Sequence, residues 1–257
     1  MLRCLIVESE PRRAREERRD SVGRTSGENY ADVLKTLAPL CTSDEIRPSD
    51  SGSTLPSRAT LDSYDAVFMT GSPLHLYEET PETRRHVELM RAIFTSGTPA
   101  FGSCAGLQVA TVAAGGTVRP NRRGREAAFA RRVTTTEAGR EHPLHRGRPD
   151  AFDAPTIHTD EVEALPEGAT LLATNRVTQV QGAEIKVGPG IFWGVQYHPE
   201  LSLAEIASAL RRQAHDLVEE GFARGPEGIE AHAGSWMSST TRPSAATSPG
   251  VSESTSR

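Results

Sequence analysis

The chain has few cysteines, few aromatic residues, no long apolar run and no excess of one charge. Three cysteines (Cys4, Cys41 and Cys104) in 257 residues are too few for a disulfide framework and point to reduced thiols, one of which can be reactive. No apolar stretch approaches the roughly 20 residues that span a bilayer, and Met1 to Glu10 is a short strand-like run followed by charges, not a signal peptide. A cytoplasmic protein without a membrane partner is therefore expected. The formal net charge is only −5. The arginines between Arg12 and Arg19 are interleaved with Glu16, Glu17 and then Asp20, so their field largely cancels. This argues against nucleic acid as a partner and for a solvated helix face.

What is present is organised as one large domain. Gly234 to Arg257 is nearly all Ser, Thr, Pro, Ala and Gly, too poor in apolar residues to offset chain ordering, and is expected to be a disordered tail. Residues 1–233 remain for folding, which suits a single α/β domain. Leu2 to Val7 and Ala66 to Met69 read as buried parallel strands, with helical spacing from Tyr30 to Leu40 between them. The second strand runs into Thr70-Gly71-Ser72-Pro73, a turn that opens at its carboxyl end. A helix is expected from Thr83 to Thr95, then a short strand at Ala100 and Phe101, and a helix from Leu107 to Ala114 closed by Gly115-Gly116. From Arg131 to Val195 the pattern changes to short alternating segments, including Thr170 to Thr174, Thr178 to Val180 and Ile191 to Val195, as in an antiparallel part of a sheet. Ser202 to Glu219 reads as a final helix, capped by Ser202 with Glu205 three residues on, and with Ile206, Leu210, Ala214 and Leu217 on one stripe.

Two segments carry chemistry. Gly102-Ser103-Cys104-Ala105-Gly106 fits G-x-C-x-G, a nucleophile on a sharp strand-to-helix turn whose flanking glycines avoid Cβ clashes. The free N–H groups and positive end of the following helix favour a thiolate. Gly194-Val195-Gln196-Tyr197-His198-Pro199-Glu200 ends a strand with a histidine and sets a carboxylate two residues later. A cysteine nucleophile needs an imidazole to move protons, and the imidazole needs an acceptor to fix its tautomer.

Together these segments, with Leu107-Gln108 after the first, resemble the class I glutamine amidotransferase family, the glutaminase domains of GMP synthase and their stand-alone homologues above all. The resemblance runs from about Leu2 to Leu217. It implies an open, mostly parallel, flavodoxin-like α/β sheet with helices on both faces and an antiparallel extension. It also implies a catalytic triad of Cys104, His198 and Glu200, and an oxyanion hole from the N–H groups of Ala105 and of the Gly71-Ser72-Pro73 turn, Ser72 in particular. Gln108 matches the family residue that lines the glutamine site. No cofactor and no metal is expected.

Two departures stand out. The oxyanion turn, usually Gly-Gly-Pro in the family, is Gly71-Ser72-Pro73 here; a backbone N–H tolerates serine if its φ/ψ suits a Cβ. Relatives often have a glycine after the Arg125-Glu126 pair, where this chain has Ala127 and Ala128, and use that strand to shape the glutamine pocket. Ile157 to Val162 resembles the family's His-Gly-Asp-x-Val segment, with His158 read as a loop-holding histidine. His142 and His145 form an H-x-x-H pair in a loop with no helix to align them, which speaks against a metal. Cys4 and Cys41 read as small apolar residues. Leu74 to Pro81, beside the oxyanion turn, is the candidate for a movable lid.

The chain has no Walker-type loop and no second domain of the size that ATP-dependent chemistry needs, so a complete synthetase is not expected. Three functions stay open: glutamine hydrolysis that delivers ammonia to a separate synthase or ligase subunit, which ranks first; a free-standing γ-glutamyl hydrolase or peptidase; and an idle regulatory homologue. The small-molecule partner is L-glutamine or a γ-glutamyl compound.

Overall fold

In the computed structural model, which describes residues 1–239, strand and helix alternate through the first half of the chain. Strands β1 (Arg3–Val7), β2 (Thr42–Ile46), β3 (Ala66–Met69) and β4 (Ala100–Ser103) are separated by helices α1 (Arg12–Val22), α2 (Ser26–Leu37), α3 (Arg58–Leu61) and α4 (Pro81–Ser96), and α5 (Ala105–Ala113) follows β4. The second half contributes β5 (Thr117–Pro120), β6 (Glu126–Thr135), α6 (Glu137–Glu141), β7 (Ala151–His158), β8 (Asp160–Ala164), β9 (Thr170–Thr174), β10 (Gly182–Val187) and β11 (Gly190–Val195). Helices α7 (Leu203–Arg212), α8 (Ala214–Glu219) and α9 (Pro226–Ser239) close the described chain.

One nine-stranded sheet runs β2-β1-β3-β4-β11-β10-β9-β6-β7, and β5 pairs with β8 apart from it. The first five strands are parallel and the rest pair antiparallel, which is the expected flavodoxin-like order with an antiparallel extension. Buried strands of this kind need apolar side chains on both faces. Leu5, Val7, Val67, Met69 and Phe192 pack with Leu89, Ile93 and Leu107 of α4 and α5. On the other face Tyr30 of α2 lies against Phe68, and Phe68 against Phe101, with ring centroids 6.5 and 6.3 Å apart. In parallel sheets of this winding, ligands sit beyond the carboxyl ends of the strands. Here those ends carry Glu8 to Glu10, Gly71-Ser72, Cys104 and His198.

Several expectations change. The helix expected over Tyr30 to Leu40 begins four residues earlier, at Ser26, because Thr25 and Glu28 form a capping box. Ser202 and Glu205 form theirs as expected, but the final helix breaks at Gln213 (φ −101°, ψ 16°), whose side-chain oxygen accepts from Arg125. The break lets Leu217 join Ile206, Leu210 and Ile229 in one cluster over β6 and β7. Helix α9 continues past Ala233 into the segment expected to be tail; positions 240–257 lie outside the described residues. Thr178 to Val180 is not a strand: the Asn175 side chain accepts from the N–H groups of Val177 and Thr178 at 3.0 and 2.8 Å and holds a turn.

The solvated face expected for Arg12 to Arg19 is only half of α1. Arg12 and Arg13 make exposed pairs with Glu16 and Glu17, whereas Arg15 and Arg18 are buried. Arg15 grips Asp50 at 2.8 Å and Arg18 grips Glu205 at 2.9 Å, fastening α1 to the loop after β2 and to α7. Cys4 is buried as expected, but Cys41 is half-exposed and its Sγ lies 3.1 Å from that of Cys4. Burial, and then this neighbour, push the Cys4 thiol up to about 12. Among the described residues no helix is long and apolar enough to cross a membrane.

Candidate active site

Cys104 sits between β4 and α5 with φ 52° and ψ −109°, a strained conformation for a residue with a Cβ. It is held there by its N–H bond to Val195 O of the neighbouring strand at 2.8 Å. The two glycines of the motif face each other across the turn: a Cβ on Gly102 would lie 3.0 Å from Gly106 Cα. Side chains at these positions would force strand and helix apart. The first intrahelical bond of α5 is Gln108 N–H to Cys104 O at 3.2 Å, which leaves the preceding N–H groups, that of Ala105 included, as open donors.

His198 follows β11 and is anchored by its N–H to Pro155 O at 2.8 Å. Its Nδ1–H donates to Glu200 Oε1 at 2.7 Å, and its side chain also hydrogen-bonds Cys104. Burial disfavours the imidazolium, but the charge of Glu200 and the bonds to Cys104 and Glu200 outweigh it and raise the ring from 6.5 to about 10. With Glu200 as its charge partner, the ring is therefore held as the imidazolium beside Cys104. Gly71 closes this corner: a Cβ there would meet His198 Cε1 at 2.7 Å and Cys104 Cβ at 3.6 Å, so only glycine fits. Ser72 uses its Oγ to accept from Leu74 N–H at 3.2 Å, and its own N–H has no partner among the described residues.

Cys104, His198, Glu200, Gly71, Ser72 and Gln108 line one cleft of about 490 Å³. Ala105 is buried behind the wall and reaches the site only through its backbone. The Gln108 amide nitrogen donates to Asp160 O at 3.2 Å and to Gln196 Oε1 at 3.3 Å, which fixes the side chain. His158 is a loop-holder as expected: its nitrogens reach Asp160 O at 2.9 Å and Glu126 Oε2 at 3.1 Å. His142 meets Glu184 at 3.3 Å and His145 the Gly139 carbonyl at 3.2 Å, so each ring is occupied by its own neighbour. The candidate lid is tied down by His75, whose Nδ1 is 2.7 Å from Asp160 Oδ2 and whose ring stacks on Tyr77 at 5.3 Å. Ala127 and Ala128 pack against the cluster of α7, α8 and α9 and do not line the cleft. Ala128 has φ 72°, the left-handed region where a glycine is at ease.

Sequence reasoning missed a chain of buried groups behind Cys104, His198 and Glu200. Ser103 Oγ donates to Glu200 Oε1 at 3.0 Å, so the proton in the 2.6 Å bond between Tyr30 and Ser103 belongs to Tyr30. Asn29 Nδ2 donates to the Glu200 carbonyl at 3.0 Å. Tyr30→Phe should lower kcat about five- to tenfold with KM unchanged, the worth of one hydrogen bond of about 1 kcal/mol. Steady-state kinetics with unaltered kcat would count against this role.

A second missed group lies elsewhere on the cleft wall, which Glu10, Ala14, Arg18 and Arg212 help to form. Burial, and then the charge of Glu8, push Glu10 from 4.5 up to about 7. An acid harder to ionise when folded takes up a proton on folding between these values. Stability thus falls as pH rises through the window, by at most about 1.4 kcal/mol per pH unit. Glu10→Gln removes this slope. Melting temperatures of the two proteins should agree near the acid end of the window and diverge above its upper end, with the variant more stable; parallel curves would refute the linkage.

The chain belongs to the class I glutamine amidotransferase family, a family of enzymes: the profile of glutamine amidotransferase class-I matches residues 29–216. A gamma-glutamyl-L-1-hydroxyisopropylamide hydrolase of a Pseudomonas species is 41% identical over 225 residues, covering 86% of this chain and 75% of that protein. One subunit of the glutamine-hydrolyzing GMP synthase of Methanocaldococcus jannaschii is 34% identical over 112 residues, 44% of this chain and 56% of that one, so the match spans little more than half of that relative's length. The solved structure of a glutamine amidotransferase from Thermotoga maritima shares the fold, with a TM-score of 0.67 at 21% identity and 90% of each chain covered.

Proposed function

We propose that this chain is a free-standing hydrolase of γ-glutamyl amides, the second of the functions left open by the sequence. The observation that carries this reading is the extent of the cleft, which runs from Cys104 and His198 to a wall formed by α1 and Arg212. Ammonia leaving from glutamine needs no room of that kind, while a substituted amine does. The extent of the match to the Pseudomonas hydrolase supports the same reading.

In this mechanism the proton of the Cys104–His198 pair rests on the imidazole, and the sulfur attacks the γ-carbonyl carbon of the substrate. Glu200 holds the imidazolium. The N–H groups of Ala105 and Ser72 meet the oxyanion of the tetrahedral intermediate. His198 returns the proton to the amide nitrogen, the C–N bond breaks, and the amine leaves a γ-glutamyl thioester on Cys104. Water, deprotonated by His198, attacks the thioester and releases glutamate, and the thiol is restored. Gln108 lies at the glutamyl end of the site.

Ammonia supply to a separate synthase is the second reading, favoured by the likeness to the GMP synthase of Methanocaldococcus jannaschii. Turnover of L-glutamine and of γ-glutamyl alkylamides by the isolated chain separates the two. Alkylamides hydrolysed with a higher kcat/KM than glutamine support the hydrolase. Glutamine turned over alone supports ammonia supply, and no turnover of either supports an idle homologue.

A further inference from the structure

We propose that Cys4 and Cys41 form a thiol modification site that takes a low-molecular-weight disulfide as its oxidant and closes into an intrachain bridge. The two residues stand 37 positions apart in the chain, yet their sulfurs lie 3.1 Å from each other, against the about 2.05 Å of a disulfide bond. Neither thiol belongs to the active site. Cys4 lies near the start of β1, at the amino end of the parallel strands, whereas Cys104 follows β4 at the opposite, carboxyl end.

The backbone holds the pair together. Arg3 and Cys4 of β1 are in parallel register with Thr42 and Ser43 of β2. Cys41 donates its N–H to Ala38 O at 2.8 Å, and the next N–H, that of Thr42, goes to Leu2 O at 2.9 Å. The sulfurs thus stay neighbours as long as β1 and β2 are paired, and the remaining approach of about 1 Å is within the reach of side-chain rotation. The two thiols differ in access: Cys4 is buried and Cys41 half-exposed.

That difference sets the order of the chemistry. Burial, and then the neighbouring sulfur, keep the Cys4 thiol protonated, so the exposed partner reacts first. Cys41 loses its proton, and its Sγ attacks one sulfur of the small disulfide; that S–S bond breaks, and one small thiolate leaves and takes up a proton. Cys4 then loses its proton, and its Sγ attacks Cys41 Sγ and expels the second small thiolate, which is protonated in turn. The two cysteines are oxidised by one electron each, and the small disulfide is reduced to two thiols. The chain between the ends of the bridge forms α1 and α2. Arg18 of α1 lines the cleft, and Asn29 and Tyr30 of α2 bond to Glu200 and Ser103. Closing this loop removes conformations from the unfolded chain and so stabilises the fold that holds these helices in place.

The test treats the full chain with glutathione disulfide, blocks the remaining thiols with an alkylating agent and maps the peptides by mass spectrometry without reduction. The peptides of Cys4 and Cys41 are expected to be joined, with the loss of two hydrogen atoms, and dithiothreitol should separate them again. In Cys4→Ala the reaction should stop at a glutathione adduct on Cys41, and in Cys41→Ser the buried Cys4 should stay unmodified. The oxidised protein should melt on the order of 10 °C above the reduced one. Cys41→Ser, which keeps Cys104 and any adduct formed there, should show no such rise. Alkylation of both thiols after treatment, a lasting glutathione adduct on Cys41 in the unaltered protein, or a bridge between two chains overturns the proposal. So does a melting temperature that oxidation leaves in place. None of these outcomes bears on the hydrolase reading, which is tested on Cys104.

Discussion

Replacing Cys104 with alanine is expected to lower kcat/KM by about 10⁴-fold or more, because the remaining groups can orient water but cannot form the thioester. The same variant has a second readout that does not depend on turnover. The hydrogen bond and charge of Cys104 both raise His198, whose ring stands at about 10, so an NMR titration should show the His198 pKa falling in Cys104→Ala. The linkage has a definite sign. A histidine raised from 6.5 to about 10 contributes stability that is full below the lower value and is lost as pH rises through the upper one. Part of that contribution should vanish with Cys104. Retained turnover, or a His198 titration unmoved by the substitution, would show that the thiol and imidazole do not work as a pair.

Glu126→Ala should destabilise the fold by about 3–5 kcal/mol, with a fall in Tm on the order of 10 °C. This carboxylate is a buried hub. It accepts from Asn175 Nδ2 at 2.5 Å, Gln181 Nε2 at 2.7 Å and His158 Nε2 at 3.1 Å, tying β6 to the end of β7 and to the turn before β10. Removing it leaves Gln181 Nε2 and His158 Nε2 without that acceptor in a buried space, and a buried unpaired group costs far more than the pair contributed. His158, which also holds the backbone of Asp160, would loosen, and Gln108 and His75, which bond to Asp160, would loosen with it. Activity should therefore fall together with stability. Thermal melts that shift by only a degree or two would show that the network is not structural.

Much of the site was legible in the amino-acid sequence because its logic is local. A glycine on either side of Cys104 and a carboxylate two residues after His198 are statements about neighbouring backbone positions, and the chain places all of them where the motifs implied. The same holds for the cap at Ser202. The reading failed where distant residues decide the outcome. Arg18 looked like part of a charged surface because its partner Glu205 is 187 residues away, and Tyr30 looked like an ordinary helix residue because its partner Ser103 is 73 residues away. Gln213, where the helix expected over Ser202 to Glu219 breaks, has its partner Arg125 88 positions earlier.

The amino-acid sequence by itself determined where Cys104, His198 and Glu200 fall on turns beyond strands, and the alternation of strand and helix in the first half, since spacing of one to four residues and strand or helix periodicity fix backbone direction without reference to anything remote. Only the tertiary structure decided which charged residues face water and which face the cleft. That choice is made by packing α1 against α7 and α2 against the sheet, where Arg18 meets Glu205 and Tyr30 meets Ser103 away from water.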